Sequence, residues 1–452
     1  MEAVVGGQEV PARSLQRPIR VARTGPFPWF LAIMISALLF FSENFFPIDV
    51  LVNEQSTDLQ ATILKGSTFR EIAYSIIGLV GFVWLIRARR YRLAWRSPVV
   101  MTFGLLMVWS VLSITWAQEP VTSAKRILAY LLMTVGAAGA AAMWSHTEIL
   151  NFVSLSGAAH LTVGVVGEIV CGFFNPWVSG YRFAGTLTWN VQGFCCLVLV
   201  LSSLAASDAT PRYKTLFRGL ALYGLTFLFL TKSRSSMIGV AVGLLSYFLL
   251  TKSLRAKAWA VSALLISAIL LYMSGTMESL IAILSRNGEG AGDFTGRVPI
   301  WDLALTYVKQ RPLTGYGFQN FWTSRTIDYF SSEFHWTISA AHSGYIETLL
   351  TLGCVGLCLH VLVLIFGIFR SIVLFKMSRS PIFALAAAIC VVVMVVGAVE
   401  VVVLWLISPY SFGIILLLWS LFLERSDPVS SGTSTPALMQ RFRSGPWQRG
   451  AV

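Results

Sequence analysis

Charge is what this sequence has least of. Of 452 residues only 12% are Asp, Glu, Lys or Arg, against about a quarter in a soluble globular domain, and 56% are hydrophobic. Carboxylates are the scarcer sign, 21 Asp and Glu against 34 Lys and Arg. Also missing are a Gly-Lys-Ser/Thr phosphate loop, an HExxH zinc pair and an Asp-x-Asp pair of the kind that holds a metal on a nucleotide sugar. These absences argue against ATP hydrolysis by the chain and against a metal-bridged nucleotide donor. The six cysteines, Cys171, Cys195, Cys196, Cys354, Cys358 and Cys390, all lie in apolar stretches with neither a CxxC spacing nor a disulfide framework, so they read as small hydrophobes. No repeat relates one half of the chain to the other, whereas transporters of many spans usually show one.

What the sequence does have is a series of nearly charge-free runs of about 20 residues, the length that crosses a hydrocarbon core of about 30 Å. They predict an all-α polytopic integral membrane protein of about twelve transmembrane helices. The expected organisation is a cytoplasmic tail over 1–26, helices one to nine over 27–275, a large outer loop over 276–344, helices ten to twelve over 345–424 and a second cytoplasmic tail over 425–452. The ninth span is expected near 258–275 and the last two near 382–406 and 409–423, separated by a tight turn around Pro409. Arg13, Arg17, Arg20 and Arg23 precede the first span without a small-residue cleavage site, which reads as a tail and not a removable signal. In a soluble chain a net charge of +13 would suggest nucleic acid. Here the arginines cluster at span ends, so the expected partner is membrane lipid and no nucleic acid is expected.

With the N-terminus inside, 22 of the 34 cations fall in inner segments, led by "RARRYRLAWR", and 12 in outer ones. That bias predicts both termini on the cytoplasmic side. It also makes the outer cations conspicuous: Arg182 in "YRFAGTLTWN", Lys232 and Arg234 in "TKSRSS", and Arg286, Arg297, Lys309, Arg311 and Arg325 in the long loop. A lone Lys or Arg at a span end is ordinarily an exposed charge or a snorkelling anchor. Several of them on one face, in short loops tied to the bilayer, suit an anionic group at the interface such as a lipid phosphate or diphosphate.

Within the outer loop, "RNGEGAGDFTGR" lacks the preceding strand and the lysine of a phosphate loop and reads as a flexible opening. "VPIWDLALTYVKQRP" predicts an amphipathic helix between Pro299 and Pro312, with Val298, Trp301, Leu305 and Val308 on its apolar face, lying on the membrane or capping the bundle. Tyr316, Phe318, Phe321 and Trp322 fit an interfacial aromatic belt or, less safely, a sugar-stacking platform. His342 then stands just outside span ten, with Glu347 about a turn inside it. Glu168, Glu347 and Glu400 are carboxylates in apolar sequence on the side of the outer arginines, costly there unless paired or facing water. Together they predict a polar chamber open to the outer face, with Glu–Arg pairing and acid–base work as its two uses.

The succession "RFAGTLTWN", "TKSRSSMIG", "TGRVPIWDLALTYVKQRPLTGYGFQNF" and "AHSGYIETLLTLGCVGL" resembles the O-antigen ligase and polymerase superfamily of bacterial envelopes, and most its Wzy-type polymerase branch. The resemblance covers roughly 180–360, and Ser343 stands where many members carry Asn. It implies a GT-C-like helical fold in the bacterial inner membrane and a metal-independent glycosyltransferase without cofactor. Its donor would be an undecaprenyl-diphosphate-linked saccharide, and a chain-length regulator or export complex would be a candidate partner. In that setting Arg234 and Arg297, with Arg182 and Lys232 in support, would bind the diphosphate and stabilise charge growing on the leaving oxygens. His342 would accept the proton of the acceptor hydroxyl, or would orient that hydroxyl while Glu347 accepts it. The acceptor would be another lipid-linked repeat unit in a polymerase, and lipid A core or a protein in a ligase. A lipid-linked saccharide transporter and a structural partner of a synthase are readings of other classes.

Overall fold

The computed structural model describes residues 28–43, 68–88, 91–178, 180–253, 255, 297–405, 407–408 and 410–425. The expected ninth span, the loop opening with Arg286, residues 1–26 and the C-terminal tail beyond Arg425 lie outside the described residues. The helices are α1 (Trp29–Glu43), α2 (Thr68–Arg87), α3 (Pro98–Leu112, continued by a 3-10 turn to Trp116), α4 (Pro120–Met143), α5 (His146–Val170), α6 (Trp189–Ala209), α7 (Lys214–Thr231), α8 (Arg234–Thr251), α9 (Arg297–Gln310), α10 (Ser324–Phe334), α11 (Gly344–Ser378), α12 (Pro381–Val396) and α13 (Ser411–Phe422). Prolines open α3, α4 and α12, where the missing N–H has no helical partner to lose. Among the described residues seven helices are long and apolar enough to cross a membrane, namely α2, α3 with its extension, α4, α5, α6, α8 and α11, and α1, α12 and α13 are shorter apolar helices. The chain is an all-α, multi-pass membrane protein, with one three-residue ladder among the described residues.

That ladder pairs β1 (Tyr91–Leu93) antiparallel with β2 (Leu423–Arg425), in the register Arg92 opposite Glu424. It ties the α2–α3 connection to the end of the last helix. Arg370 meets Glu424 at 2.6 Å, and the His146 ring meets Ser380 Oγ at 3.1 Å, so segments expected on the inner side share one end of the bundle. In the interior, small residues let backbones approach: a Cβ on Gly139 of α4 would fall 2.2 Å from the Gly81 carbonyl of α2.

Span eleven departs from expectation. It was expected as 382–406 with a tight turn after it, yet α12 ends at Val396 and α13 starts only at Ser411. Between them the described residues 397–405, 407–408 and 410 form an irregular strap, several of whose carbonyls are taken up by side chains. Leu404 O accepts from Tyr130 OH at 2.5 Å, Trp405 O from the Gln319 side chain at 3.3 Å and Val401 O from Tyr410 OH at 3.3 Å. Non-helical backbone is tolerated at membrane depth where protein satisfies it in this way.

At the opposite end, α9, α10, the 312–322 loop and the first turns of α11 form a lobe with its own core of Ile300, Ala304, Val308, Tyr316, Phe321, Trp322, Ile327, Phe330 and Leu350. Two expectations change here. The buried face of α9 is Ile300–Ala304–Val308, while Val298 and Leu305 are exposed. Tyr316, Phe318, Phe321 and Trp322 are all buried, so they are core residues and neither an interfacial belt nor an open stacking platform. The lobe is stitched into α11 at Gly353, whose backbone (φ 66°, ψ −170°) breaks the helix. Freed carbonyls at Leu350, Thr351 and Leu352 accept from Tyr316 N–H (2.8 Å), Gly317 N–H (2.9 Å) and Trp109 Nε1 (2.9 Å), and Cys354 N–H donates to Pro312 O (2.8 Å).

Candidate active site

The turn "TKSRSS" is built to project cations. Thr231 ends α7, Lys232 follows in the left-handed conformation at φ 51°, and Arg234 is the first residue of α8. Thr231 Oγ1 accepts the Ser233 N–H at 3.2 Å, and Ser233 Oγ donates to Ser236 Oγ at 3.0 Å. Lys232 and Arg234 are exposed, and no described residue pairs with either. They flank the amino end of α8, where unpaired N–H groups and the helix dipole favour an anion.

Arg182 braces this turn from behind. Its Nε donates to the Thr231 carbonyl at 3.0 Å, its Nη2 to Asn190 Oδ1 at 3.3 Å, and its guanidinium lies 4.5 Å from the Trp189 ring centroid. The loop carrying Arg182 is anchored by Glu168, which accepts Ala184 N–H (2.9 Å), Gly185 N–H (2.7 Å) and Tyr181 OH (2.5 Å). Glu168 therefore takes hydrogen bonds from this loop and does not pair with an arginine among the contacts that define the site.

Glu400, on the strap, is the hub. One oxygen accepts from Arg297 Nη2 at 2.9 Å and from Ser235 Oγ at 3.0 Å, and Arg297 also donates to the Val399 carbonyl. Arg297 opens α9 and Ser235 follows Arg234, so a single carboxylate joins three segments far apart in sequence. The strap's backbone adds a fourth: Gly344 N–H, the first of α11, donates to Gly397 O (2.7 Å) and Glu400 O (3.0 Å).

His342 stands two residues before that amide, at φ 52°. Its ring faces Trp336, with centroids 5.8 Å apart, and no described residue hydrogen-bonds it. Burial, reinforced by the Arg297 charge, pushes the imidazole down to about 4, so it is neutral at ordinary pH. Of the five histidines His342 alone lies in this cluster: His146 bonds Ser380, His160 bonds Ser36, His335 closes α10 and His360 is buried within α11. Glu347 is held differently. It is 6% exposed and turned into the lobe, where Trp322 Nε1 donates to both oxygens (2.9 and 3.0 Å) and Ala341 N–H to one of them (3.0 Å).

The structure thus gathers Arg297, Arg234, Lys232, Arg182 and His342 at one end of the bundle and sets Glu347 behind His342. Ser235 and Trp336 were not expected in the site; Glu400 was expected in an outer polar chamber with Glu–Arg pairing, and its pair with Arg297 is such a contact, though no particular arginine was named for it. A carboxylate inside an apolar span was the signal for Glu400; Ser235 and Trp336 carried none. Among the described residues no three His, Cys, Asp or Glu side chains come together as a metal-ligand set. An apolar cavity of about 70 Å3, lined by Phe152, His160, Gln192, Cys195 and Tyr410 among others, shares none of the site's cations.

Residues 219–361 match the Wzy_C family model, described as O-antigen ligase. The matched stretch includes Lys232, Arg234, Arg297, His342 and Glu347 and leaves Arg182 and Glu400 outside. Among curated proteins none matches the chain. Over residues 219–361, the multi-pass helical bundle that gathers these motifs at one end is thus similar to the O-antigen ligase family.

Proposed function

We propose that the protein is a metal-independent membrane glycosyltransferase that polymerises undecaprenyl-diphosphate-linked repeat units at the periplasmic face of the bacterial inner membrane, with both termini cytoplasmic. The observation that carries this reading is the neutral His342 imidazole beside Arg297, with the exposed Arg234 and Lys232 on the same face. The diphosphate of the donor docks on Arg234, Lys232 and the amino end of α8. Arg297 swings part of its five-donor fork from Glu400 and Val399 to the phosphate oxygens, and Arg182 holds the turn that presents Lys232 and Arg234. The acceptor hydroxyl attacks the anomeric carbon and gives its proton to His342. The bond from that carbon to the diphosphate oxygen breaks with its electron pair leaving on the diphosphate, so negative charge grows where the guanidinium groups point. Inversion at the anomeric carbon follows from a single displacement.

The matched family's description favours a second reading with the same chemistry, in which the acceptor is lipid A core or a protein. One experiment tests both. Arg297→Ala and His342→Ala are expressed in a host lacking the native gene, and lipid-linked saccharides are profiled. Each is expected to lower turnover at least about 100-fold, the scale set by loss of one transition-state donor or of a general base. Single repeat units accumulating on the lipid with long polymer lost supports polymerisation. Full-length chains that fail to reach lipid A supports ligation, and unchanged product from both variants rejects the site.

A further inference from the structure

The carboxylate with the strongest sequence claim to proton chemistry is the one the fold keeps from substrate. Glu347 is buried, and every hydrogen bond it makes is to a protein donor: the Trp322 indole at 2.9 and 3.0 Å and the Ala341 N–H at 3.0 Å. What it holds is the residue before His342.

Ala341 is gripped at both ends. Its N–H goes to Glu347, and its carbonyl accepts Trp301 Nε1 from α9 at 2.9 Å. On the far side of His342, Gly344 N–H is fixed by the strap carbonyls of Gly397 and Glu400. Between these anchors His342 is kept at φ 52°, a conformation a non-glycine residue rarely takes unless its surroundings impose it. The same elements carry the site's cation: α9 brings Trp301 one turn after Arg297, and the strap brings the Glu400 that bonds Arg297. The imidazole and the guanidinium are thereby set against each other by one frame, of which Glu347 is the part inside α11.

We infer that Glu347 is a positioning residue: by accepting the Ala341 N–H and the Trp322 indole it fixes the backbone of His342, and so the imidazole beside Arg297, without touching the substrate. The inference rests on the proposed role of His342 and assigns the proton to the histidine alone.

Glutamine is the discriminating substitution. Its amide oxygen, placed where Glu347 Oε2 lies, keeps the Ala341 N–H and one of the two Trp322 indole contacts, the NH2 replacing the acceptor at Oε1, and it cannot take a proton from a hydroxyl. The full-length protein is purified in detergent and assayed on lipid-linked repeat units extracted from the producing strain. Glu347→Gln is expected to stay within about threefold of the parent. Glu347→Leu strands two buried donors and is expected to lower kcat about 100-fold, the scale of a misplaced catalytic group, with KM for the lipid-linked donor unchanged because Arg234 and Arg297 stay in place. Should the leucine variant fail to fold, Trp301→Phe removes the other grip on Ala341 and is expected to lower kcat about tenfold at constant KM. A folded Glu347→Gln as slow as His342→Ala would make Glu347 the proton acceptor and overturn the inference, as would parental rates in both Glu347→Leu and Trp301→Phe. Full activity in His342→Ala would instead sink the role of His342, and this inference with it.

Discussion

His342 shows how one side chain acquires chemistry from its neighbours. Its imidazole is pushed from 6.5 to about 4 by burial first and by Arg297 second. The unfolded chain takes up the proton near 6.5 and the folded chain only near 4. Between those values the unfolded state binds more protons, so the stability linked to this group is complete above about 6.5 and is lost as pH falls towards 4. Catalysis follows the same proton: kcat/KM is expected to hold a plateau from neutral pH down to about 5 and to halve near 4, read from a pH–rate profile of product formation. An acid limb centred near 6.5 would contradict the burial and the nearby guanidinium together. Arg234, Arg297, Lys232 and Arg182 were legible as cations standing against the charge bias that orients the chain. The bond from Arg297 to Glu400 was not, because the partners lie 103 positions apart and nothing local records the meeting.

At the scale of elements the informative feature is the break in α11. Gly353 adopts a backbone region open in practice only to glycine, and a Cβ there would sit 2.2 Å from the Leu313 carbonyl. Gly353→Ala is expected to cost at least about 1–3 kcal/mol and to release the 312–317 loop from α11, lowering the thermal unfolding midpoint in detergent. Gly104→Ala in α3 is the control: nothing lies within 4 Å of the added methyl, so it should be neutral or mildly stabilising. A Gly353→Ala protein as stable as that control would mean the loop is not held there. The break was invisible in "TLLTLGCVGL", since a glycine inside an apolar run is ordinary. Its partners, Trp109 and residues 312–317, belong to other elements. Helix α9 teaches the same lesson: periodicity placed a helix after Pro299, but the buried face turned to Ile300, Ala304 and Val308 because the aromatic lobe packs there while Trp301 is drawn to the Ala341 carbonyl.

At the scale of the molecule, alternating spans deliver the cations to one end and the β1–β2 ladder, the Arg370–Glu424 pair and the His146–Ser380 contact to the other. With the six native cysteines replaced, Lys232→Cys and Arg325→Cys are expected to react with a membrane-impermeant maleimide added to spheroplasts. Arg92→Cys, in the ladder, should react only after the membrane is permeabilised. The opposite pattern would turn the site to the cytosol and remove its access to a periplasmic donor. Hydrophobic run length and the Lys/Arg bias act locally, each segment partitioning by its own composition, and so the sequence by itself determined the membrane class, most helices and which cations share a face. Only the tertiary structure decided that span eleven stops at Val396, that Glu400 joins Arg297 to Ser235, and that Glu347 turns inward behind His342. Those outcomes depend on backbone carbonyls and buried donors finding partners across the fold, a requirement set by unsatisfied hydrogen bonds in a low-dielectric interior and not by the pattern of any single segment.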